Sequence, residues 1–390
     1  MKLPIRTLMG PGPLDVHPRV LAAMSQPLLG HLDPVFLDMM NRMMDKLRYV
    51  FETKNELTLA MSGTGSAGME TVFVNLVEPG DKVIVGVNGL FGTRMADVAS
   101  RLGAEVIPIE QEWGLPIAPE QIERALTQNP DTKFVALVHA ETSTGVWQPL
   151  DEIAQVVNKF DALLIVDAVT SLAGIPVQVD KHKIDACYSG TQKCVGAPPG
   201  LAPVTLSPKA FDVLKQRKSK VPNWYLDLTM IANYWGQERF YHHTAPISMI
   251  YALFEALTLI EEEGLSNVYA RHLLNGRALQ AGLQAMGLEM VVKEERYRLP
   301  QLTAVRIPDG IQDTQVRGLL LERYGIEIGG GLGPFKGKVW RIGLMGYSSS
   351  RKNVLLFLAA LEDILNELGY TKNRNLAVEV ASKFYASAIS

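Results

Sequence analysis

The stretch Ile184-Asp-Ala-Cys-Tyr-Ser-Gly-Thr-Gln-Lys-Cys-Val-Gly-Ala-Pro-Pro-Gly200 decides how this chain is read. Its first five residues are apolar enough to form a strand. Gly196, Pro198, Pro199 and Gly200 follow closely, so no helix can continue. Lys193 therefore stands in a tight loop beyond a strand end. Two readings are open for it. It is a surface lysine in a turn, or a desolvated amine with a lowered pKa and a free lone pair. The second gains weight from Val166-Asp167-Ala168, 26 residues upstream, where an acid closes an apolar strand. A reactive amine and a carboxylate for a cationic ring nitrogen are what pyridoxal phosphate chemistry requires.

Working outward, short apolar runs alternate with amphipathic segments. Strands are expected at 57–61, 82–87, 104–109, 133–138, 162–166, 184–188 and 201–206, with helices near 63–76, 92–102, 119–127 and 150–159 between them. Strands separated by helices give an α/β fold with a mostly parallel sheet covered on both faces. The last strands lack helices between them, so the sheet is expected to be mixed. Ahead of this, 7–18 is rich in Pro and Gly and reads as an extended arm. It either crosses a partner subunit or an active-site mouth, or is a plain lead-in. Helical spacing recurs over 34–50, 247–263 and 267–286. Residues 211–245 are less regular. Beyond them, short strands (288–292, 301–307, 325–328, 339–344) surround a helix at 313–324, and a final helix is expected over 351–368. These patterns suggest an arm over 1–20, a large domain over 21–265 and a smaller one over 266–390.

With 390 residues, 47% hydrophobic and 20% charged, the chain is ordinary for a globular protein. A net charge of −3 gives no sign of nucleic acid or an anionic membrane as partner. Two cysteines, Cys187 and Cys194, offer neither a metal spacing nor a disulfide framework. No continuous apolar leader or span is visible, and cytoplasm is the expected compartment.

Gly63-x-Gly65-x-x-Gly68 follows a strand and opens a helix, as in dinucleotide sites. Such a site wants an acid closing the next strand, yet 82–87 runs into Asn88. A loop for one phosphate monoester fits better, with Thr64, Gly65 and Ser66 donating; the alternative is a helix cap with glycines for close packing. Phe91 would stack on a flat ring or belong to the core. Thr142, in Glu141-Thr-Ser-Thr-Gly145, would meet a ring oxygen or cap the next helix. Thr170 and Ser171 would orient Asp167 or reach the phosphate. His242 and His243 are neighbours on an extended segment; they should point apart, and no acid or thiol cluster joins them as metal ligands. Gly329-Gly-Gly331 reads as a turn or an active-site lid.

Taken together, Ser62-Gly-Thr-Gly-Ser66, Asp167-Ala-Val-Thr-Ser-Leu-Ala-Gly174, Ser189-Gly-Thr-Gln-Lys193, Tyr241-His-His-Thr-Ala-Pro246 and Arg341-Ile-Gly343, with Gly10-Pro-Gly-Pro13 ahead of them, resemble the class V aminotransferases. The likeness is to the alanine–glyoxylate and serine–pyruvate group and runs along almost the whole chain. It implies the type I fold of pyridoxal-phosphate enzymes: a large domain with a mixed, mostly parallel seven-stranded sheet, and a smaller α+β domain. It implies pyridoxal 5′-phosphate as cofactor, an amino acid and a 2-oxo acid as substrates, and a homodimer that shares its active sites. Residue by residue, it implies Lys193 as the Schiff-base lysine, Asp167 on the pyridine nitrogen and Thr142 by the ring's phenolic oxygen. Thr64, Gly65, Ser66 and Gln192 would hold the phosphate, joined from the other subunit by Tyr241 and Thr244. Arg341 would clamp the substrate carboxylate. Phe91 stands where eukaryotic members often have Trp, and Ser66 where some relatives have His; both keep the role.

Three rivals are weighed against this. A cysteine desulfurase needs a mobile thiol after the lysine, and no cysteine follows Cys194. A phosphonate or phosphoserine aminotransferase would use basic residues near Arg341, for which Lys336 and Lys338 are available. An NAD-dependent oxidoreductase lacks its strand-end acid.

Overall fold

The computed structural model describes residues 3–236, 238–370 and 376–388. The arm opens with β1 (Thr7–Leu8), and α1 (Pro18–Met24) and α2 (Pro34–Phe51) lead into the sheet. Both helices carry proline in the first turn and an N-cap side chain, His17 and Asp33, that accepts a backbone N–H. There follow β2 (Leu57–Ser62), α3 (Gly65–Leu76), β3 (Lys82–Val87), α4 (Leu90–Arg101), β4 (Glu105–Glu110), α5 (Pro119–Gln128) and β5 (Phe134–Val138). A small hairpin, β6 (Ala140–Glu141) and β7 (Val146–Trp147), precedes α6 (Asp151–Lys159), β8 (Leu163–Asp167), β9 (Ala186–Tyr188) and β10 (Leu201–Leu206).

Seven of these strands form one sheet in the order β2-β10-β9-β8-β5-β3-β4. β10 alone runs opposite to the other six. The expected mixed, mostly parallel sheet is therefore present. Its central strands β5 and β8 are buried at every position, which a sheet covered on both faces demands. In parallel strands all the carboxyl ends lie on one side, and there Asp167, His139 and Asn88 leave the sheet together.

After β10 come α7 (Pro208–Lys215), α8 (Leu228–Trp235), α9 (Ile247–Glu263) and α10 (Leu265–Ala285). A second, three-stranded sheet has β11 (Leu302–Arg306), β14 (Val339–Gly343) and β13 (Gly329–Gly330) in that order. Around it lie α11 (Asp313–Tyr324), β12 (Ile326–Glu327), α12 (Arg351–Glu367) and α13 (Ala377–Ser387). Two large apolar cores result, with two smaller clusters beside them. The first holds the large sheet and its helices; the second holds Met9, Trp340, Phe357 and the later half of α10. Helix α10 serves both, through Leu265 and Val268 at its start and Leu279 and Leu283 at its end.

Several expectations are corrected. Residues 288–292 form no strand: Met290 makes a single bridge to Val305. Helix α12 is not the last, since α13 packs beside it, its first N–H groups held by Glu362. Residues 211–245 carry the rest of α7 and the whole of α8. The arm is not a loose lead-in. Thr7 and Leu8 pair in parallel with Ile326 and Glu327, and Gly343 N–H donates to Met9 O at 2.7 Å. Backbone meets backbone so closely there that a Cβ on Gly343 would lie 2.0 Å from Gly10 O. Gly343→Ala should therefore push the arm off β14. Trypsin cleavage after Arg6 should become markedly faster in the variant; equal rates would show that the arm is held some other way.

Candidate active site

Asp167 ends β8 at the sheet's carboxyl edge and is 2% exposed. Val169 N–H donates to its Oδ1 at 2.8 Å and the Tyr188 hydroxyl to its Oδ2 at 2.9 Å. Asp167 and Tyr188 are register partners on parallel strands, which puts both side chains on one face. Burial nevertheless pushes the Asp167 pKa up to about 7, the two hydrogen bonds opposing it. Of the two roles expected for Thr170 and Ser171, orienting this acid is not seen: neither hydroxyl bonds to it. The Thr170 hydroxyl shares a 2.7 Å bond with that of Thr142, and Ser171 Oγ is buried without a partner.

Lys193 is buried as well, and its Nζ donates to the Pro11 carbonyl of the arm. Burial, and then the charge of Arg341, lower its pKa to about 8. Asp167 acts in the opposite sense, so the amine feels both groups. Arg341, on β14, reaches in from the second sheet. Its Nε donates to Gly330 O at 2.8 Å and its Nη1 to Thr142 O at 3.3 Å. Nη2 takes no partner among the described residues. Burial lowers its pKa to about 10. Gly329-Gly-Gly331 is thus no lid: Gly329 and Gly330 are β13, paired with β14 and holding Arg341 by a carbonyl.

Lys193 feels the charges of both Arg341 and Asp167, all three are buried, and among the described residues none has an ion-pair partner. Unpaired buried charge is strongly unfavourable in a folded chain. Such groups persist where a ligand supplies the missing counter-charge.

The Gly65–Ser66 helix start stands beside them. Gly65 backs onto Val169 and Gly190, so the loop after β2 touches the loops after β8 and β9. The N–H groups of Thr64, Gly65 and Ser66 take no partner among the described residues, and Gln192 Oε1 is buried and unpaired. Gly68 packs closely on Ala202 and Tyr188, as the packing reading of this glycine motif expects. Phe91, half-buried in the first turn of α4, has the Arg94 guanidinium 5.0 Å from its ring centre. Thr142 caps no helix; it sits in the β6–β7 turn. Tyr241 is exposed, and its hydroxyl lies 3.2 Å from that of Thr244. Among the described residues nothing joins either of them to the 64–66 loop of the same chain. His242 and His243 do not point apart: their Nδ1 atoms share a 2.7 Å bond. Stacking on Trp224 turns one ring, and a 2.8 Å bond to Ser62 Oγ turns the other. Lys336 and Lys338 are exposed ahead of β14.

Residues 24–349 match the class V aminotransferase family. The chain belongs to the class V aminotransferases. Its fold follows that of an alanine–glyoxylate aminotransferase from Nostoc sp., with a TM-score of 0.92 and 48% identity over 94% of this chain and 96% of that one. It also follows a ureidoglycine–glyoxylate aminotransferase from Bacillus subtilis, with a TM-score of 0.96 and 42% identity over 99% of each chain. The alanine–glyoxylate aminotransferase of Callithrix jacchus is 42% identical over 94% of this chain and 89% of its own.

In this aminotransferase three contacts escape the sequence reading. Tyr188 on Asp167 is one, Pro11 on Lys193 another, and Gly330 on Arg341 the third. Period-two spacing within 184–188 could have flagged Tyr188 as facing the same side as Ala186. No local signal marks the other two, which join segments far apart in sequence.

Proposed function

We propose that this aminotransferase uses pyridoxal 5′-phosphate to move an amino group from a small amino acid, alanine or serine, to glyoxylate or pyruvate. The observation that carries this is the buried set of Lys193, Asp167 and Arg341, none of them ion-paired. The residues fit the cofactor. A ring cation would answer Asp167, a carboxylate would answer Arg341, and a phosphate would take the free N–H groups of Thr64, Gly65 and Ser66. When bound, the cofactor supplies an electron sink for the substrate's α-carbon. Lys193 Nζ would hold it and could take and return the substrate's α-proton; a pKa near 8 keeps part of the amine neutral near that pH. Arg341 orients the donor by its carboxylate. Thr142 and Phe91 would line the ring, and Ser171 and Gln192 would complete the polar shell.

The same reading takes in a homodimer. The partner subunit's Tyr241 and the partner subunit's Thr244 would reach this phosphate. The exposed Trp224, Phe240 and Tyr241 around that loop support it. The division into an arm over 1–20, a large domain over 21–265 and a small one over 266–390 belongs with this proposal, supported by the two cores. So does a cytoplasmic location, supported by two free, buried cysteines. Among the described residues no helix is long and apolar enough to cross a membrane.

Two measurements bear on substrate. Purified protein supplied with the cofactor should transaminate glyoxylate with alanine or serine. The Bacillus relative's name adds ureidoglycine to the panel, and turnover with none of the three would overturn the assignment. Arg341→Lys keeps the charge but loses the fork that fits a carboxylate. Its KM for the amino donor should rise roughly 10-fold to 100-fold, with a smaller change in kcat.

A further inference from the structure

Helix α4 begins without a cap of its own, because its N-cap is Gly89. Its first N–H groups would ordinarily be left to water. Here three of them turn to the β6–β7 hairpin. Leu90 N–H donates to Ser143 Oγ at 2.9 Å. Phe91 and Gly92 N–H groups donate to Glu141 Oε2 at 3.1 and 3.4 Å. The other oxygen, Oε1, accepts from Ser143 N–H at 3.0 Å and from its hydroxyl at 2.5 Å. Glu141 is fully buried. The approach is so close that a Cβ on Gly89 would lie 2.3 Å from the Glu141 carboxyl carbon.

Three backbone donors and one hydroxyl converge on this one carboxyl group, and the positive end of α4 adds to their attraction. Burial raises the Glu141 pKa, while all four donors hold it down. No step of the proposed reaction uses Glu141. Yet two site elements are joined through it. Phe91 is in the turn it caps. Thr142 is its chain neighbour, and the Thr142 carbonyl accepts from Arg341 while its hydroxyl meets Thr170.

We propose that Glu141, with Ser143, is a positioning residue that fixes the Phe91 wall of the ring site relative to the Thr142–Arg341 anchor. It ties the start of α4 to the hairpin turn, so ring and substrate carboxylate are held in one frame. This rests on the reading of the site given above.

The test uses apoprotein of the wild type, Glu141→Gln and Ser143→Ala, titrated with pyridoxal phosphate well below each melting temperature. The readouts are the dissociation constant, the visible circular dichroism of the bound cofactor, and then KM and kcat for the donor. The glutamine amide places an N–H₂ among donors. It should weaken cofactor binding roughly tenfold or more and change the dichroism as the ring leaves its seat. Donor KM should rise with it. Ser143→Ala should shift each readout in the same direction by less, and it carries the test if Glu141→Gln does not fold. Wild-type affinity and dichroism in a folded Glu141→Gln, or in Ser143→Ala if that variant stands alone, overturn the proposal. Failure of the underlying site reading looks different: wild-type apoprotein then takes up no pyridoxal phosphate.

Discussion

Alanine at position 193 should lower kcat at least ~10³-fold and remove the visible absorbance of a lysine-linked cofactor. Among Lys193, Asp167 and Arg341, only the Lys193 amine is able both to bond the cofactor and to carry a proton. Its neighbours cannot replace it: Arg341 stays protonated even with its lowered pKa, and Asp167 faces Tyr188 and Val169. The fold should survive. Lys193 contributes a buried cation whose pKa is depressed to about 8. Its contribution to stability is full above the ordinary lysine pKa and is lost as pH falls through 8. At pH 7 the native state carries that penalty, so the alanine variant's apoprotein should unfold at equal or higher urea concentration. Activity above about one hundredth of wild type, with the band gone, would falsify the assignment of Lys193 as the proton carrier.

Most of the large sheet was legible because its signals are local. Leu163-Leu-Ile-Val-Asp167 is a buried strand by composition, and the missing helix before 201–206 already implied a reversed strand. What stayed hidden depends on pairing between distant segments. Nothing within Thr7–Leu8 says that it will join Ile326–Glu327, and Gly343 shows its purpose only once Gly10 lies against it. The same holds in the site. Lys193, Asp167 and Arg341 could be named from their motifs. Tyr188 could not be given to Asp167 without the register of β8 on β9. Glu141 was visible as a residue, but its task lies 50 residues away at Phe91. The histidine pair departs from its sequence pattern for a related reason: an extended segment turns neighbours apart, but Trp224 and Ser62 set these ring positions.

Asp167→Asn should separate function from stability more sharply than any other single change. The amide oxygen can keep the Val169 N–H, and the amide N–H₂ can donate to Tyr188 in place of accepting from it. Geometry is retained and only the charge is lost. Without that charge a protonated ring nitrogen has no counter-ion, and kcat should fall by roughly 10²-fold to 10⁴-fold. Stability should move the other way. The carboxyl of Asp167 has a folded-state pKa near 7, raised by burial from the ordinary 3.8. A raised pKa means the folded state prefers the protonated acid. That preference stabilises fully below pH 3.8 and is lost as pH rises through 7, so above 7 the wild-type apoprotein carries an unfavourable buried charge. The penalty is on the order of a few kcal/mol. Asparagine removes it. Apo Asp167→Asn should therefore outlast apo wild type in urea at pH 8, and the gap should close as pH is lowered towards 4. Cofactor should reverse the order at pH 8, because only wild type gains the ion pair. A variant no more stable than wild type at pH 8 in the apo form would mean that Asp167 is already neutralised by something other than the cofactor.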